Sequence, residues 1–209
     1  MSVQKAYDSW SDQYDSNINK TRDLEATALR ETLANIEFDS CLEIGCGTGK
    51  NTAWLLTKAK SITAVDLSIE MLAKAKQKIN SEQVHFIQAD ILQDWNFVST
   101  KYNLVSFSLV LEHIEDLEPI FNKVSKIIAA GGYVYIGELH PFKQYSGSKA
   151  RFNTDEGEQI VSCFNHNISD FIKAAKQFGF GLVNMDEYFD EDDRNSIPRI
   201  LTILLRSGE

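Results

Sequence analysis

The stretch Leu42-Glu43-Ile44-Gly45-Cys46-Gly47-Thr48-Gly49 decides the fold of this chain. It closes a short β-type run, and its alternating glycines let the backbone turn sharply and approach a ligand closely. The spacing differs from the G-x-G-x-x-G of dinucleotide binding, and the Lys50-Asn51 pair that follows lacks the ending of a phosphate-binding P-loop. We therefore predict a ligand-binding turn between a strand and a helix, the alternative being a tight turn that binds nothing.

Working outward from this turn, short β-type runs alternate with longer helical patterns from Ser40 onward. This alternation predicts an α/β fold with a mostly parallel sheet and crossover helices. The predicted strands are 41–44, 62–66, 84–88, 102–108, 133–138, 182–188 and 199–205. The predicted helices are 51–59, 69–79, 117–128 and 169–178, preceded by 3–14 and 24–36, which belong to no βαβ unit and are candidates for a cover over the site.

A single domain over residues 1–209 accommodates these elements. We expect a helical cover at 1–37, a ligand-binding core at 38–140, a lid insertion at 141–167, and a C-terminal helix with two strands at 168–209.

Composition excludes several classes of function. The chain has 209 residues and a formal charge of -9, which would repel a phosphate backbone, so we expect no nucleic-acid partner. No apolar stretch reaches the roughly 18 residues that cross a bilayer, so we expect no membrane association and a cytoplasmic location. Cys41, Cys46 and Cys163 lack the paired spacing of a metal site, so no metal is expected.

Two carboxylates follow predicted strands at the edge where ligands bind in open parallel sheets. Asp66 lies about 20 residues after the glycines, where a carboxylate accepts the hydroxyl hydrogens of a ribose; the alternative is a helix cap. Asp90 and the backbone of Ile91 fit an adenine, unless Asp90 is a solvated loop residue. Leu67 and Met71 are candidates for apolar walls, although such residues are more often part of the core.

Candidate catalytic groups lie near the same edge. His113 follows the fourth strand, and an imidazole is able to act as a base near neutral pH. Glu138 and His140 end the fifth strand two residues apart, so they share a face. His166 precedes the helix near residue 169. Each has a structural alternative, as a packed or locally hydrogen-bonded side chain.

The segment between His140 and Asn167 is basic and aromatic in an otherwise acidic chain. It is a candidate for receiving an anionic or aromatic acceptor, or is a solvated loop. The residues concerned are Lys143, Tyr145, Lys149, Arg151 and Phe152.

Taken together, the motifs resemble the class I S-adenosylmethionine-dependent methyltransferases, in particular the small-molecule branch of methyltransferase types 11 and 25. The matching pieces are LEIGCGTGKNT, AVDLSIEML, QADI, YNLVSFSLVLEHIED, AAGGYVYIGE and the opening YDSWSDQYD. The resemblance implies S-adenosyl-L-methionine as cofactor. It also implies a Rossmann-like seven-stranded sheet in the order 3-2-1-4-5-7-6, with the last strand antiparallel, helices on both faces and an N-terminal helical lid.

The resemblance also implies roles for individual residues. Asp66 would contact the ribose, and Asp90 with Ile91 the adenine. Ser108 and Leu109 would approach the methionine amine and carboxylate, and Tyr14 would close over the cofactor. Beside the methionine portion would lie Glu43, Gly45, Cys46, Gly47, Thr48 and Gly49.

Three functions follow as hypotheses. The first is an enzyme that transfers a methyl group to oxygen or nitrogen of a small-molecule acceptor, acting as a monomer or homodimer. The second is a noncatalytic S-adenosylmethionine-binding or scaffold protein with the same fold. The third, a protein-modifying methyltransferase, is disfavoured because Pro141 is followed by Phe142 and the Asn/Asp-Pro-Pro-Tyr-type amide-binding motif is absent.

Overall fold

Seven strands form one sheet in the computed structural model, which describes residues 2–149, 151–154 and 157–208. Two further strands, β6 and β7, form a separate hairpin. In chain order the strands are β1 (Ser40–Ile44), β2 (Ser61–Asp66), β3 (Val84–Gln88), β4 (Tyr102–Ser108), β5 (Ile128–Leu139), β6 (Arg151–Thr154), β7 (Gly157–Ile160), β8 (Phe180–Tyr188) and β9 (Ile200–Ser207). The helices are α1 (Val3–Tyr14), α2 (Lys20–Thr32), α3 (Lys50–Leu55), α4 (Ile69–Lys78), α5 (Glu118–Ile127), α6 (Pro141–Tyr145) and α7 (Ile168–Gln177).

The strand order of the main sheet is β3-β2-β1-β4-β5-β9-β8. Strands β1 to β5 pair in parallel, whereas β9 runs antiparallel to both β5 and β8. This is the predicted order 3-2-1-4-5-7-6 with an antiparallel last strand, so the expected fold class is confirmed. Because β1 lies between β2 and β4, the loops after β1 and β4 diverge at its carboxyl end and open a crevice there.

Side chains alternate between two apolar layers, one on each face of the sheet. Leu42 on β1 packs with residues of α5 and α7, such as Phe121 and Phe171. Its neighbour Cys41 packs in the opposite layer with Leu29 of α2 and residues of α3 and α4. The helices therefore cover both faces, as a mostly parallel sheet requires.

Several boundaries differ from the sequence predictions. The second helix begins at Lys20 rather than residue 24, because the Asn19 side chain caps it by accepting the N–H of Arg22 at 3.0 Å. The fifth strand begins at Ile128 rather than 133, because Ile128 pairs with Tyr102 across a bulge. The seven-stranded sheet is as expected, but β6 and β7 add a separate hairpin in a segment where no strand was predicted.

None of the helices in the described ranges combines the length and apolar character needed to span a bilayer.

Candidate functional site

The loop after β1 is folded tightly enough to require its glycines. Gly45 has φ +74°, and a Cβ placed there would lie 2.1 Å from Cγ2 of Val110. Gly47, with φ +52°, is also left-handed. The N–H groups of Gly45 and Cys46 both donate to the carbonyl of Val65, at 2.8 and 3.0 Å, which holds the loop against the end of β2. Any side chain at Gly45 would therefore displace the loop after β4.

Asp66 ties the same loop to the start of α4. Its Oδ2 accepts the N–H of Gly47 at 2.8 Å, and its Oδ1 accepts the N–H of Ser68 at 2.8 Å. Burial raises the pKa of this carboxyl, while the backbone hydrogen bonds act in the opposite direction. The helix cap considered for Asp66 belongs instead to Ser68, whose Oγ accepts the N–H of Met71 at 3.1 Å.

Three neighbouring cavities open at the carboxyl ends of β1 and β4. The central cavity, about 180 Å³, lies between Gly45, Asp66, Asp90 and His113. The loop cavity, about 40 Å³, lies between the glycine loop and Arg22. The side cavity, about 350 Å³, lies between α1, α2 and Arg151. Tyr14 and Leu109 line all three, so the cavities meet at these two residues.

The cavities bring together nearly all the residues predicted to hold a cofactor. The central cavity is lined by Tyr14, Gly45, Gly47, Asp66, Leu67, Met71, Asp90, Ile91, Ser108 and Leu109. The loop cavity adds Glu43, Cys46 and Thr48. Gly49 instead has φ +82° at the start of α3, and a Cβ there would lie 2.9 Å from Cδ1 of Ile79. Its part is to pack α3 closely against α4.

Leu109 has a strained backbone at this junction. Its φ of +56° is in the left-handed region, which costs energy for any residue with a Cβ. A hydrogen bond at 2.8 Å from its N–H to the carbonyl of Gly137 holds the conformation. Such strain persists only where the surrounding structure maintains it, and it is found most often at functional sites.

Two residues that line the loop cavity each have a buried polar atom without a hydrogen bond. Within the part of the chain that the structure describes, Oδ1 of Asn51 accepts no hydrogen bond and Nε of Arg22 donates none. The amide nitrogen of Asn51 is engaged, donating to Glu25 at 2.9 Å and Ser108 at 3.2 Å. The loop cavity thus presents one open acceptor, and one donor that makes no hydrogen bond and lies 3.6 Å from the Asp23 carboxylate.

Glu43 lies behind this cavity with its carboxyl buried. Burial raises the pKa of Glu43 to about 8, opposed by the Thr52 hydroxyl, which donates to Oε2 at 2.6 Å. Nearby Glu25 has its pKa raised by the same cause. With a pKa of about 8, Glu43 is largely protonated at neutral pH, so it adds little negative charge to the wall beside the loop.

Helix α1 closes over the glycine loop and α4 through three acidic side chains one helical turn apart. The contacts are Asp8 with Ser68 Oγ at 2.5 Å, Asp12 with Lys74 at 2.7 Å, and Asp15 with Thr48 Oγ1 at 2.7 Å and with Lys78. The side chain of Thr48, predicted as a ligand contact, is thus used to hold the cover, although Thr48 still lines the loop cavity.

Tyr7 and His113 form a hydrogen-bonded pair between the central and side cavities. The Tyr7 hydroxyl is 2.9 Å from Nε2 of His113, and Nδ1 is 2.9 Å from the carbonyl of Ser162. Because a carbonyl only accepts, Nδ1 carries the hydrogen, and in the neutral ring Nε2 accepts from Tyr7. Burial raises the pKa of Tyr7 well above its usual range, which keeps the phenol protonated as a donor.

The same histidine lies in a cluster that sequence spacing did not predict. One ligand-type atom each of Glu112, His113 and Cys163 lies within 4.8 Å of the others, although these residues are far apart in the chain. Oε1 of Glu112 is 4.0 Å from Nε2 of His113. Since both ring nitrogens of His113 already hold hydrogen bonds, the cluster is accounted for as support for that ring.

The other three candidate catalytic residues lie in structural networks. Glu138 accepts the N–H groups of Val110 at 3.0 Å and Leu111 at 2.7 Å, and burial raises its pKa to about 8. His140 is fully buried, accepts the N–H of Phe142 and donates to Glu187 at 3.0 Å. It lines none of the three cavities, nor does Glu138.

His166 is buried as well, and its Nε2 donates to the carbonyl of Ile114 at 2.7 Å. Glu138 and His140 thus fit the structural alternative considered for them, and the Glu138 carboxyl shapes the loop after β4. Of the four candidates, His113 alone lines the central cavity within the described part of the chain.

Some side chains of the basic segment likewise line a cavity, whereas others are held in structural contacts. Lys149 and Arg151 line the side cavity, whereas Lys143 lies 3.8 Å from Asp190 and the Tyr145 hydroxyl contacts Asn167. The side chain of Phe152 lies outside the described residues.

Tyr7, Arg22 and Asn51 were missed by the sequence reasoning. Tyr7 lies in the opening YDSWSDQYD, from which only Tyr14 was singled out. Tyr7 and Tyr14 lie about two helical turns apart, so both rings are on one face of α1. Asn51 was used only to exclude a P-loop. Arg22 had no signal, because it precedes residue 24, where the second cover helix was predicted to begin.

Comparison with known proteins agrees with this geometry. Residues 42–136 match the family model described as a methyltransferase domain. A malonyl-[acyl-carrier protein] O-methyltransferase of Marinomonas sp. is 28% identical over 202 residues, covering 90% of this chain and 72% of that protein. Phosphoethanolamine N-methyltransferase 3 of Arabidopsis thaliana is 31% identical over 143 residues, or 65% of this chain and 29% of that protein.

Among solved structures, the DhpI-SAM-HEP complex is 25% identical, with a TM-score of 0.76 over 97% of this chain and 94% of that one. The chain therefore contains a region, residues 42–136, that matches a methyltransferase domain, within a fold that it shares with the DhpI-SAM-HEP complex.

Proposed function

We propose that this chain transfers a methyl group from S-adenosylmethionine to oxygen or nitrogen of a small-molecule acceptor. The observation that carries the proposal is the meeting of the three cavities at Tyr14 and Leu109. A cofactor lying across the central and loop cavities would have its middle at that junction. An acceptor in the side cavity would approach it from the third direction.

The central cavity has the groups that an adenosine needs. Asp66 keeps lone pairs for ribose hydroxyls beyond its two backbone hydrogen bonds, and Asp90 uses Oδ1 for the N–H of Leu92 at 2.9 Å, which leaves Oδ2 for an adenine amino group. Met71 and Leu67 supply apolar walls. These residues fit the adenosine portion of the cofactor.

The loop cavity has the groups that an amino acid needs. An ammonium requires an acceptor and a carboxylate requires a donor, and Asn51 Oδ1 and Arg22 Nε are the buried atoms left open there. Leaving such atoms unpaired is costly, so filling them would contribute to affinity. These residues fit the methionine portion.

Bound S-adenosylmethionine supplies a methyl group on a sulfonium, which is electrophilic without further activation. The chain's own task is then to orient the acceptor and remove its proton. Tyr7 accepts the hydrogen of the acceptor on its phenolic oxygen while its own proton moves to Nε2 of His113. The carboxyl of Glu112, 4.0 Å away, stabilises the imidazolium that results. Roles for Glu138, His140 and His166 in this step are not needed.

Two segments act as covers in this proposal. Residues 1–37 close the cofactor side through α1, and residues 141–167 border the acceptor side through Lys149 and Arg151. The core at 38–140 and the C-terminal part at 168–209 complete one domain. The names of the relatives, one an O-methyltransferase and one an N-methyltransferase, support both acceptor atoms.

Titration calorimetry with S-adenosylmethionine, S-adenosylhomocysteine and NAD tests the cofactor. Binding of the two adenosyl ligands without NAD is expected, and binding of NAD alone would overturn the proposal. Turnover on a panel of small hydroxyl and amine acceptors, followed as S-adenosylhomocysteine production, separates an enzyme from a scaffold. Binding with no turnover across the panel would favour the scaffold.

A further inference from the structure

Glu25 is a buried carboxyl on α2, a helix that the sequence indicated only as a cover. The residue is 2% exposed, and it lines the loop cavity together with Asn51 and Ser108. Burying an acidic group is costly unless hydrogen bonds replace those it makes with water. The hydrogen-bond partners of Glu25 therefore indicate what the residue does.

The side chains around this carboxyl are donors. The Tyr135 hydroxyl donates to Oε1 at 3.1 Å, and the amide nitrogen of Asn51 donates to Oε2 at 2.9 Å. Burial raises the pKa of Glu25, while hydrogen bonds from Asn51, Ser108 and Tyr135 act in the opposite direction. This arrangement suits the ionised carboxylate, because an ionised carboxylate only accepts hydrogen bonds.

Gly137 on β5 makes room for these groups. A Cβ at this position would lie 2.6 Å from Oε1 of Glu25 and 2.5 Å from the hydroxyl oxygen of Tyr135. Both distances are shorter than those that real Cβ atoms show. The carboxyl of a cover helix thus fits against the sheet because residue 137 has no side chain.

Glu25 also decides which end of the Asn51 amide is left for a ligand. The amide nitrogen donates to Glu25 at 2.9 Å and to Ser108 Oγ at 3.2 Å, so both of its hydrogens are used. Reversing the amide would place Oδ1 against the carboxylate, where two acceptors would face each other. Oδ1 is therefore the end that remains, and it is buried without a hydrogen bond among the described residues.

Arg22 lies one helical turn before Glu25, on the same face of α2. It lines the loop cavity as well. Helix α2 therefore brings a cation to this cavity directly and, through Asn51, an acceptor for a hydrogen-bond donor. A cation and an acceptor are the groups that match the carboxylate and the ammonium of an amino acid.

We propose that Glu25 is a positioning residue that, by orienting Asn51, makes the cover helix selective for adenosyl ligands that carry an amino acid group. This rests on the proposed function, because it requires the methionine portion of the cofactor to lie in the loop cavity. The ammonium would donate to Oδ1 of Asn51. A nucleoside that lacks the amino acid would leave this acceptor unused, so it would gain nothing from Glu25.

Binding of S-adenosylhomocysteine and of methylthioadenosine, which lacks the amino acid, tests the proposal. We expect the unmodified protein to bind S-adenosylhomocysteine more tightly. Glu25→Gln keeps the size of the side chain, but its amide both donates and accepts, so Asn51 is free to reverse. Affinity for S-adenosylhomocysteine should then fall roughly tenfold or more, whereas affinity for methylthioadenosine should change less than about threefold. Calorimetry on one sample measures both constants.

Asn51→Ala shows whether Glu25 acts through this amide. It should weaken S-adenosylhomocysteine binding selectively, as Glu25→Gln does. The double variant Glu25→Gln/Asn51→Ala should bind S-adenosylhomocysteine no more weakly than Asn51→Ala alone, because residues that act as a unit are not additive. Losses that add in the double variant would mean that Glu25 acts independently of Asn51, and would overturn the proposal.

The matched control is Glu31→Gln, which changes an exposed carboxyl on the same helix that lines none of the three cavities. It should bind both ligands as the unmodified protein does. Gly137→Ala replaces Glu25→Gln if the latter does not fold, since the added methyl group displaces the carboxyl but keeps its charge, and the same selective loss is expected. A variant that matches the control, or that loses both ligands equally, would show that the inference is wrong.

The same titrations separate this inference from the proposed function. If the unmodified protein binds neither ligand, the cofactor assignment is rejected and the inference with it. Equal affinity for the two ligands would reject the placement of the amino acid in the loop cavity. Selectivity that survives Glu25→Gln rejects only the role of Glu25 and leaves the proposed function intact.

Discussion

The phenolic oxygen of Tyr7 lies 2.9 Å from Nε2 of His113, although 106 residues separate the two in the chain. The contact joins the cover helix α1 to the loop after β4. Because Nδ1 of the histidine donates to Ser162, the ring orientation is fixed from a third segment. A single hydrogen-bonded series therefore connects both covers to the sheet at the point where the acceptor would bind.

Removing either member of this pair should slow methyl transfer while leaving cofactor affinity nearly unchanged. Tyr7→Phe and His113→Ala are each expected to lower kcat by roughly 10²- to 10⁴-fold, the range for a lost general base. The measurements are kcat and the dissociation constant of S-adenosylhomocysteine. The control is His85→Ala, an exposed histidine on β3, which should behave as the unmodified protein. Equal losses of binding and turnover would show that the pair only maintains the fold.

Asp66 and Asp90, whose carboxylates are proposed to bind the adenosine portion of the cofactor, should differ in the effect of conversion to Asn. Asp66 accepts two backbone N–H groups, so Asp66→Asn leaves one donor unpaired and should lower both stability, by about 1–3 kcal/mol, and cofactor affinity, by at least tenfold. Asp90→Asn retains an acceptor for Leu92 and should lower affinity alone. Denaturant unfolding and calorimetry test the pair. An unchanged affinity in both variants would contradict the adenosine assignment.

Stability of the unliganded protein should fall as pH rises toward 8, in part because of Glu43. Burial raises its pKa from the usual 4.5 to about 8. Between those values the folded state retains a proton that the unfolded chain releases. The stabilisation from the neutral carboxyl is therefore complete below about pH 4.5 and is lost as pH approaches 8.

Glu43→Gln should make this dependence shallower, by up to about 1.4 kcal/mol per pH unit for one group. Glu138 retains its own raised pKa in the variant, so some slope will remain. Urea unfolding at pH 5, 6, 7 and 8 measures the change, with Glu82→Gln on the surface as control. A variant with the slope of the control would show that Glu43 is ionised in the folded state.

Cofactor exchange should depend on the contacts between α1 and α4. Lys74 and Lys78 pair with Asp12 and Asp15 at exposed positions, where salt screens such pairs. A Lys74→Ala/Lys78→Ala variant is expected to release S-adenosylhomocysteine a few-fold faster, and added salt should speed release from the unmodified protein. Lys76→Ala, on the exposed face of the same helix, is the control. Stopped-flow displacement gives the rates, and identical rates in all three proteins would contradict this role for the pairs.

The sequence predicted the sheet well because local patterns specify it. Apolar runs and glycine turns identified β1 to β4 within a residue, and the resemblance supplied the antiparallel last strand, which periodicity alone does not show. The hairpin of β6 and β7 escaped detection because the sequences of these strands, RFNT and GEQI, lack the apolar alternation that marks a strand. The length of β5 was also missed, because pairing with a neighbouring strand extended it through Gly131 and Gly132.

Sequence reasoning anticipated which residues come together at the cavities where backbone position alone decides it. Asp66, Asp90 and the glycine loop follow strand ends, and strand ends meet at one edge of the sheet. The roles of the histidines could not be predicted from the sequence, because they depend on partners far away in the chain. Nothing near His140 in the sequence indicates Glu187, and nothing near His113 indicates Tyr7.

The shared position of Tyr14 has a consequence for how this protein diversifies. Its aromatic ring on α1 borders the central, loop and side cavities at once. Changes in the first 15 residues would therefore alter the choice of acceptor and the residence time of the cofactor together. Selection for a new acceptor would proceed most freely through Lys149 and Arg151, which border the side cavity but neither of the other two.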